Sequence, residues 1–161
     1  MVRDLLTDWA LAEHQIPDSQ FGFCPTRNTN QPFFILRHIL ATVKKETMKV
    51  YTAFLDLFAT YDSPERSFGD TCKKIKTPQY LRDIIQSMYT GYLLIDGDKL
   101  SEKVAPNRGL KQGCPLSPLL YSLYNNDIDR FLTVQKGAAT ALDSVQVPHC
   151  DNADDIAACA C

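Results

Sequence analysis

No run of this 161-residue sequence approaches the roughly 20 consecutive apolar residues that a membrane-spanning helix needs. Asp4 sits where a secretion signal carries only basic and apolar residues. The expectation is therefore a soluble, intracellular protein, nuclear or cytoplasmic, neither membrane-bound nor secreted. Paired Cys-x-x-Cys spacings are also lacking. The six cysteines, Cys24, Cys72, Cys114, Cys150, Cys159 and Cys161, are scattered, which argues against a structural zinc site and against a secreted disulfide framework and leaves reduced, mostly buried thiols. Internal repeats, low-complexity tracts and linkers are missing, so the length fits one continuous domain. An excess of positive charge is missing too. Seventeen Lys and Arg against nineteen Asp and Glu leave a formal charge of −2, which weighs against nucleic-acid binding without excluding it, since local basic groups remain at Lys44, Lys45 and Lys49, at Lys73, Lys74 and Lys76, and at Arg108 and Lys111. His14, His38 and His149 have no metal-ligand spacing and read as ordinary histidines.

Against these absences the chain carries clear periodic signals. Val2, Leu5, Leu6, Trp9 and Ala12 fall at helical spacing, and a turn-rich segment follows over residues 17–30. Phe33, Leu36, Leu40 and Val43, with Asn30 as a cap and Pro32 in the first turn, predict a second helix. Residues 50–57 form a β-branched and aromatic run. In it Thr52, Phe54 and Asp56 share one face, so a strand with a carboxylate near its end is expected. Thr77 and Pro78 start a helix whose stripe is Leu81, Ile84, Ile85 and Met88 and whose stop is Gly91. Asp96 and Gly97 suggest a hairpin turn. Ser117 and Pro118 open a helix with Leu120, Leu123, Tyr124, Ile128 and Phe131 along its buried side. The tail from residue 145 reads as a short strand, a turn at Asp154 and Asp155, and a further strand. Interleaved strands and helices without a regular β-α-β repeat predict an α+β fold with a mainly antiparallel sheet packed on helices.

One strand-borne Asp and an Asp pair in a neighbouring hairpin are the right chemistry for holding two hard cations a few ångströms apart, the clamp that nucleotidyl transfer uses. Acidic pairs in surface turns are common, so spacing alone leaves an ordinary solvated turn as the alternative. The wording around them is more specific. FLDLFATYDS, residues 54–63, resembles the first palm motif of reverse transcriptases. RGLKQGCPLSPLLYSLYNNDI, residues 108–128, resembles the stretch that carries their Gln-Gly nucleotide contact. NADD, residues 152–155, resembles their Tyr-Ala-Asp-Asp turn, and DSQFGFCPTRNTNQPFFILRHIL, residues 18–40, resembles the fingers segment that non-LTR (LINE-type) retrotransposons write as Gln-x-Gly-Phe-Arg-x-Gly-Arg-Ser-Thr. The four blocks occur in family order and cover nearly the whole chain.

The resemblance implies a single partial domain of a right-hand polymerase, fingers-like over 1–49 and palm-like over 50–161, with the thumb absent. It implies an RNA-directed DNA polymerase that joins an incoming dNTP to a primer 3′-hydroxyl, with an RNA template and a DNA primer as partners and two Mg2+ ions, or Mn2+, as cofactors. Asp56, Asp154 and Asp155 become the catalytic and metal-binding carboxylates, with the backbone carbonyl of Leu57 as a further metal ligand. Tyr61 matches the aromatic residue that blocks a ribose 2′-hydroxyl, Gln112 and Gly113 match positions lining the nucleotide pocket, and Arg27 matches an arginine suited to nucleic-acid phosphates.

The chain also departs from the pattern. Cys24 and Thr26 stand where the family writes Arg and Gly, Phe58 where a Lys or other polar residue is usual, and Asn152 where it writes Tyr. Asp151 takes the place of an apolar strand residue. A carboxylate buried there beside two others costs on the order of several kcal/mol unless it protonates or moves out, so a distorted hairpin is expected. Ile156, Ala157, Ala158, Cys159, Ala160 and Cys161 look too small and too few to complete the last strand. These departures keep two alternatives open: a catalytically inactive retroelement remnant that binds nucleic acid or protein at most, and a nucleic-acid-binding module without metal chemistry.

Overall fold

The computed structural model describes residues 1–64, 68–91, 93, 95–104, 108–134, 140–142 and 145–160. Its elements are helices and antiparallel strands, as the alternating periodicities predict, and the chain forms two compact units, residues 1–15 with 59–124 and residues 16–58 with 125–161. No helix among the described residues is long and apolar enough to cross a membrane.

The first unit is helical. It holds α1 (Val2–Ala12), α3 (Phe68–Lys74), α4 (Gln79–Met88) and α5 (Ser117–Tyr124), with a small hairpin of β2 (Ile95–Asp96) and β3 (Lys99–Leu100). That hairpin turns at Gly97 and Asp98, with Asp96 opposite Lys99, as the Asp-Gly pair predicts. The core collects Leu6 and Ala10 of α1, Leu81 and Ile85 of α4, and Leu119, Leu120 and Leu123 of α5, together with Cys72, Leu110 and Leu116. The α4 stripe agrees with the expectation. The α1 stripe is narrower, since Leu5 faces solvent and Ala10 takes its place inside.

In the second unit, α2 (Asn30–Lys45) and α6 (Asn126–Val134) accompany a three-stranded antiparallel sheet of β1 (Tyr51–Asp56), β6 (His149–Asn152) and β7 (Asp155–Ala160) in the order β1-β7-β6, and a separate pair, β4 (Thr140–Leu142) and β5 (Val145–Val147). Three expectations need correction here. Helix α2 starts at Asn30 behind Thr29, with no capping hydrogen bond from the Thr29 side chain, and buries Pro32, Ile39 and Val43, whereas Phe33 is 68% exposed. Residues 32, 39 and 43 fit a 3.6-residue period as well as 33, 40 and 43 do, and tertiary contact selects between stripes about 100° apart. The Ser117 helix does not run through to Phe131. It stops at Tyr124, and α6 starts anew after Asn125, because Asn suits helix ends better than interiors; Phe131 is then 66% exposed. The last strand is complete despite its small residues. All six residues of β7 pair with β1 and its first four with β6, because the ladder is made by backbone groups and needs no large side chains.

The expected thiol state agrees for the described cysteines: all five are free, with Cys72, Cys150 and Cys159 buried. Cys161 lies outside the described residues.

The break between α5 and α6 can be checked by mutation. Leu120→Ala, at 0% exposure, should lower unfolding free energy by about 2–5 kcal/mol, and Phe131→Ala by less than about 0.5 kcal/mol. Urea denaturation of both variants reads this, and equal losses would restore one continuous buried stripe.

Candidate functional site

Strand β1 ends at Asp56 and β7 begins at Asp155, and the two residues are direct cross-strand partners. Cβ atoms of such partners lie about 4.5–5.5 Å apart. Asn152 faces Asp155 from the other side, so strand alternation puts Asp56, Asp155 and Asn152 on one face of the sheet. Asp154 is the second residue of the two-residue turn between β6 and β7, and Leu57 directly follows β1. Asp56, Asn152 and Asp155 line a cleft of about 380 Å³ together with Pro32, Phe33 and Leu36 of α2. The carboxylates of Asp56 and Asp155 are exposed and Asp154 is half-buried. Carboxylate oxygens are the ligands that hard cations such as Mg2+ and Mn2+ take, although the close three-residue cluster of ligand atoms among the described residues lies elsewhere, at Asp129, His149 and Asp151.

The turn that presents Asp154 is held from outside the hairpin by a residue that sequence reasoning did not single out. Gln20 is buried, and its Oε1 accepts hydrogen bonds from the backbone N–H of Ala153 at 2.9 Å and of Gly22 at 2.8 Å, while its Nε2 donates to the Ala153 carbonyl at 3.2 Å. Ala153 itself has φ +64°, a left-handed conformation that costs of order 1 kcal/mol outside glycine. Gly22 lies so close to the turn that a Cβ on it would meet the Ala153 nitrogen at 2.2 Å. The strand edge is sealed by the same segment. Phe21 N–H donates to the Asp151 carbonyl at 2.7 Å, and Asp151 N–H donates to the Ser19 carbonyl at 2.8 Å. The signal lay inside the quoted QFGF block, which puts a long amide and a glycine at spacing two.

Arg27 is largely internal. Its Nη1 donates to the carbonyls of Pro17 and Gln20, both at 2.6 Å, and its Nη2 pairs with Asp18 at 3.1 Å, so it braces the loop that carries Gln20. Tyr61, Gln112 and Gly113 belong to the helical unit. Tyr61 is half-buried, its ring centroid 5.8 Å from that of Tyr121. Gln112 and Gly113 are exposed in a turn closed by Cys114 N–H donating to the Lys111 carbonyl, and Ser117 Oγ donates to the same carbonyl at 2.6 Å. Gly113 has φ +78°, as the third position of a type II turn demands.

The family profile described as reverse transcriptase (RNA-dependent DNA polymerase) matches residues 1–161. The chain belongs to the reverse transcriptase family. It is 34% identical over 122 residues to the retrovirus-related Pol polyprotein from type-2 retrotransposable element R2DM of Drosophila melanogaster, covering 74% of this chain and 12% of that protein. It is 30% identical over 138 residues to the Pol polyprotein from type-1 retrotransposable element R2 of Nasonia vitripennis, covering 77% of this chain and 14% of that protein. The reverse transcriptase chain thus spans about an eighth of the length of these relatives, and its likeness to non-LTR retrotransposon proteins is established.

Two departures from the family pattern now have a physical account. Thr26, in the glycine position of the fingers motif, has φ +64°, so the conformation that favours glycine persists with a β-branched residue in it. Asp151 neither moves out nor distorts the hairpin, contrary to expectation. It is 7% exposed in a regular ladder opposite Ile156, which puts it on the face opposite Asp155 rather than beside it. Its charge is met by His149, whose Nε2 lies 3.5 Å from Asp151 Oδ2 and 3.0 Å from Asp129 Oδ1. Ser19 Oγ donates to Asp129 Oδ1 at 2.5 Å and reaches Asp151 Oδ2 at 3.2 Å. His149 is therefore no ordinary histidine. Burial works against its charge, but the hydrogen bonds and charges of Asp129 and Asp151 outweigh that and push its pKa up to about 9. Burial likewise opposes ionisation of Asp129, yet the His149 and Ser19 hydrogen bonds hold its carboxyl below the usual range.

Two outcomes follow for the turn and the buried network. Gln20→Leu leaves three backbone groups without their partner and should cost about 1–3 kcal/mol, with amide exchange in native-state hydrogen-exchange measurements rising at Ala153 and Gly22; protection unchanged at those amides would remove Gln20 from its role. A histidine whose folded pKa is raised contributes stability below its ordinary value of 6.5 and loses it as pH climbs through about 9. With divalent cations chelated, unfolding free energy should fall by roughly 3 kcal/mol between pH 6 and 9.5, and His149→Gln should flatten that slope.

Proposed function

We infer that this chain contributes the carboxylate centre of an RNA-directed DNA polymerase that extends a DNA primer along an RNA template. The observation that carries the reading is the register Asp56 opposite Asp155, with Asp154 in the intervening turn, in a chain that matches the reverse transcriptase family over its whole length. Asp56, Asp154, Asp155 and the Leu57 carbonyl would hold two Mg2+ ions, or Mn2+. The chemistry such a pair supplies is activation of the primer 3′-hydroxyl and neutralisation of charge on the dNTP triphosphate. The protein's own task is positioning. The Gln20 clamp fixes the turn, the β1-β7 ladder fixes the distance between the carboxylates, and the α2 wall of the cleft limits where the reacting groups lie.

In this reading residues 1–49 are fingers-like and 50–161 palm-like, Gln112 and Gly113 line the nucleotide pocket through their exposed turn, and Tyr61 checks the sugar. Arg27 serves nucleic acid indirectly, through the loop it braces. The remnant reading has one specific observation in its favour: Asn152, in the Tyr position, stands on the cleft rim beside Asp155.

Primer extension on an RNA template separates the two. The assay is run on the 161-residue chain and on a chimera in which it replaces the matching segment of the Drosophila relative. The polymerase reading expects extension by the chimera with magnesium or manganese, and loss of at least about a hundredfold in Asp56→Asn, as when one charge-stabilising group is removed. A folded chimera that never extends until Asn152→Tyr is introduced identifies decay. In an active chimera Tyr61→Ala should admit ribonucleotides, because the clash with the 2′-hydroxyl disappears. Unchanged discrimination would return Tyr61 to a packing role against Tyr121.

A further inference from the structure

On the face of the sheet away from Asp56 and Asp155, one atom from each of three side chains converges: Asp129 Oδ1, His149 Nε2 and Asp151 Oδ2 all lie within 4.8 Å of one another. The edges from His149 are 3.0 and 3.5 Å. A tetrahedral cation with bonds of about 2.0–2.1 Å separates its ligands by about 3.3 Å, close to both edges that meet at His149 Nε2. Ser19 Oγ lies within hydrogen-bond reach of both acids, 3.2 Å from Asp151 Oδ2 and 2.5 Å from Asp129 Oδ1, and it or a water would supply a fourth ligand.

Charge and hydrogen bonding point the same way. Two carboxylates around a neutral imidazole carry −2. One proton on His149 cancels half of that and a divalent cation all of it. Asp151 is more than nine-tenths buried, and its Oδ1 has no hydrogen-bond partner, an arrangement that costs free energy while nothing positive faces that oxygen. Its Oδ2 shares the same His149 nitrogen that Asp129 already engages.

We propose that Asp129, His149 and Asp151 form a second divalent-cation site, separate from the catalytic carboxylates and suited to Zn2+. Imidazole with carboxylates favours zinc, whereas magnesium takes oxygen ligands and keeps most of its waters. The three ligands come from α6 and β6, and Ser19 from the loop that carries Gln20, so a bound zinc ion ties together the elements that hold the Asp154 turn. The proposal stands whether or not the chain polymerises DNA.

The test uses the 161-residue chain, stripped of metal and titrated with Co2+ as a spectroscopic substitute for zinc. The expected result is one equivalent bound with the strong visible absorption of a tetrahedral N/O site, displaced by Zn2+ and retained in excess Mg2+. Zinc should also shift the imidazole nitrogen resonance of His149 in the wild-type chain, and should raise the thermal midpoint of wild type but not of His149→Gln. His149→Gln should weaken binding by more than about tenfold, the loss that changes merely behind a ligand already produce, while Asp154→Ala should leave it unchanged. If His149→Gln does not fold, by circular dichroism, Asp129→Asn is read in its place, since Asp129 is the less buried of the two acids. Absence of tetrahedral absorption in folded wild type overturns the site and leaves a proton as its cation. So does a His149 resonance unmoved by zinc, or binding that Asp154→Ala abolishes, which would assign the ion to the catalytic carboxylates.

Discussion

Everything at the carboxylate centre depends on the register in which β7 lies between β1 and β6. A strand has a side-chain period of two, so a slip by one residue would send Asp155 to the far face and bring Ile156 opposite Asp56. The ladder runs from Tyr51 opposite Ala160 to Asp56 opposite Asp155 without a bulge. The same register on the other edge puts Asp151 opposite Ile156 and so divides the acids of the hairpin between two faces: Asp155 toward the cleft, Asp151 toward His149.

That division explains how a sheet of four and six-residue strands tolerates so much negative charge. Acids on the cleft side are solvent-facing and need no internal partner. The acid on the other side is buried and has an imidazole at hydrogen-bonding distance, with a second carboxylate and a serine hydroxyl in the same network. Gln20 links the two arrangements, because the loop that clamps the Ala153 peptide with an amide also supplies Ser19 to the buried network. The left-handed Ala153 is then held by two of the three hydrogen bonds that the Gln20 side chain makes.

Much of this was legible in the sequence. The α4 stripe, the Asp96-Gly97 hairpin, the strand ending at Asp56 and the hairpin around Asp154 follow from periodicity and turn chemistry, which are local. The four family blocks added the family itself and a shared end of the sheet for the three acids. Less legible were features that depend on which of two equivalent helix faces meets the core, as in α2, or on whether an Asn pair ends a helix, as at Asn125. His149 and Gln20 were missed for a related reason. Neither has a partner near in sequence: Asp129 is 20 residues from His149, and Ala153 is 133 residues from Gln20.

By itself, then, the sequence determined the element types, the family, and the presence of carboxylates at a strand end and in a turn, because these rest on short-range spacing and on motif wording. Only the tertiary structure decided which face each acid occupies, and that Asp151 faces His149 rather than Asp155. It also decided that the Asp154 turn is fixed by Gln20 from the opposite end of the chain. The physical reason is that a one-residue rotation or slip preserves every local preference, and only long-range pairing and the desolvation of buried charge distinguish the arrangements.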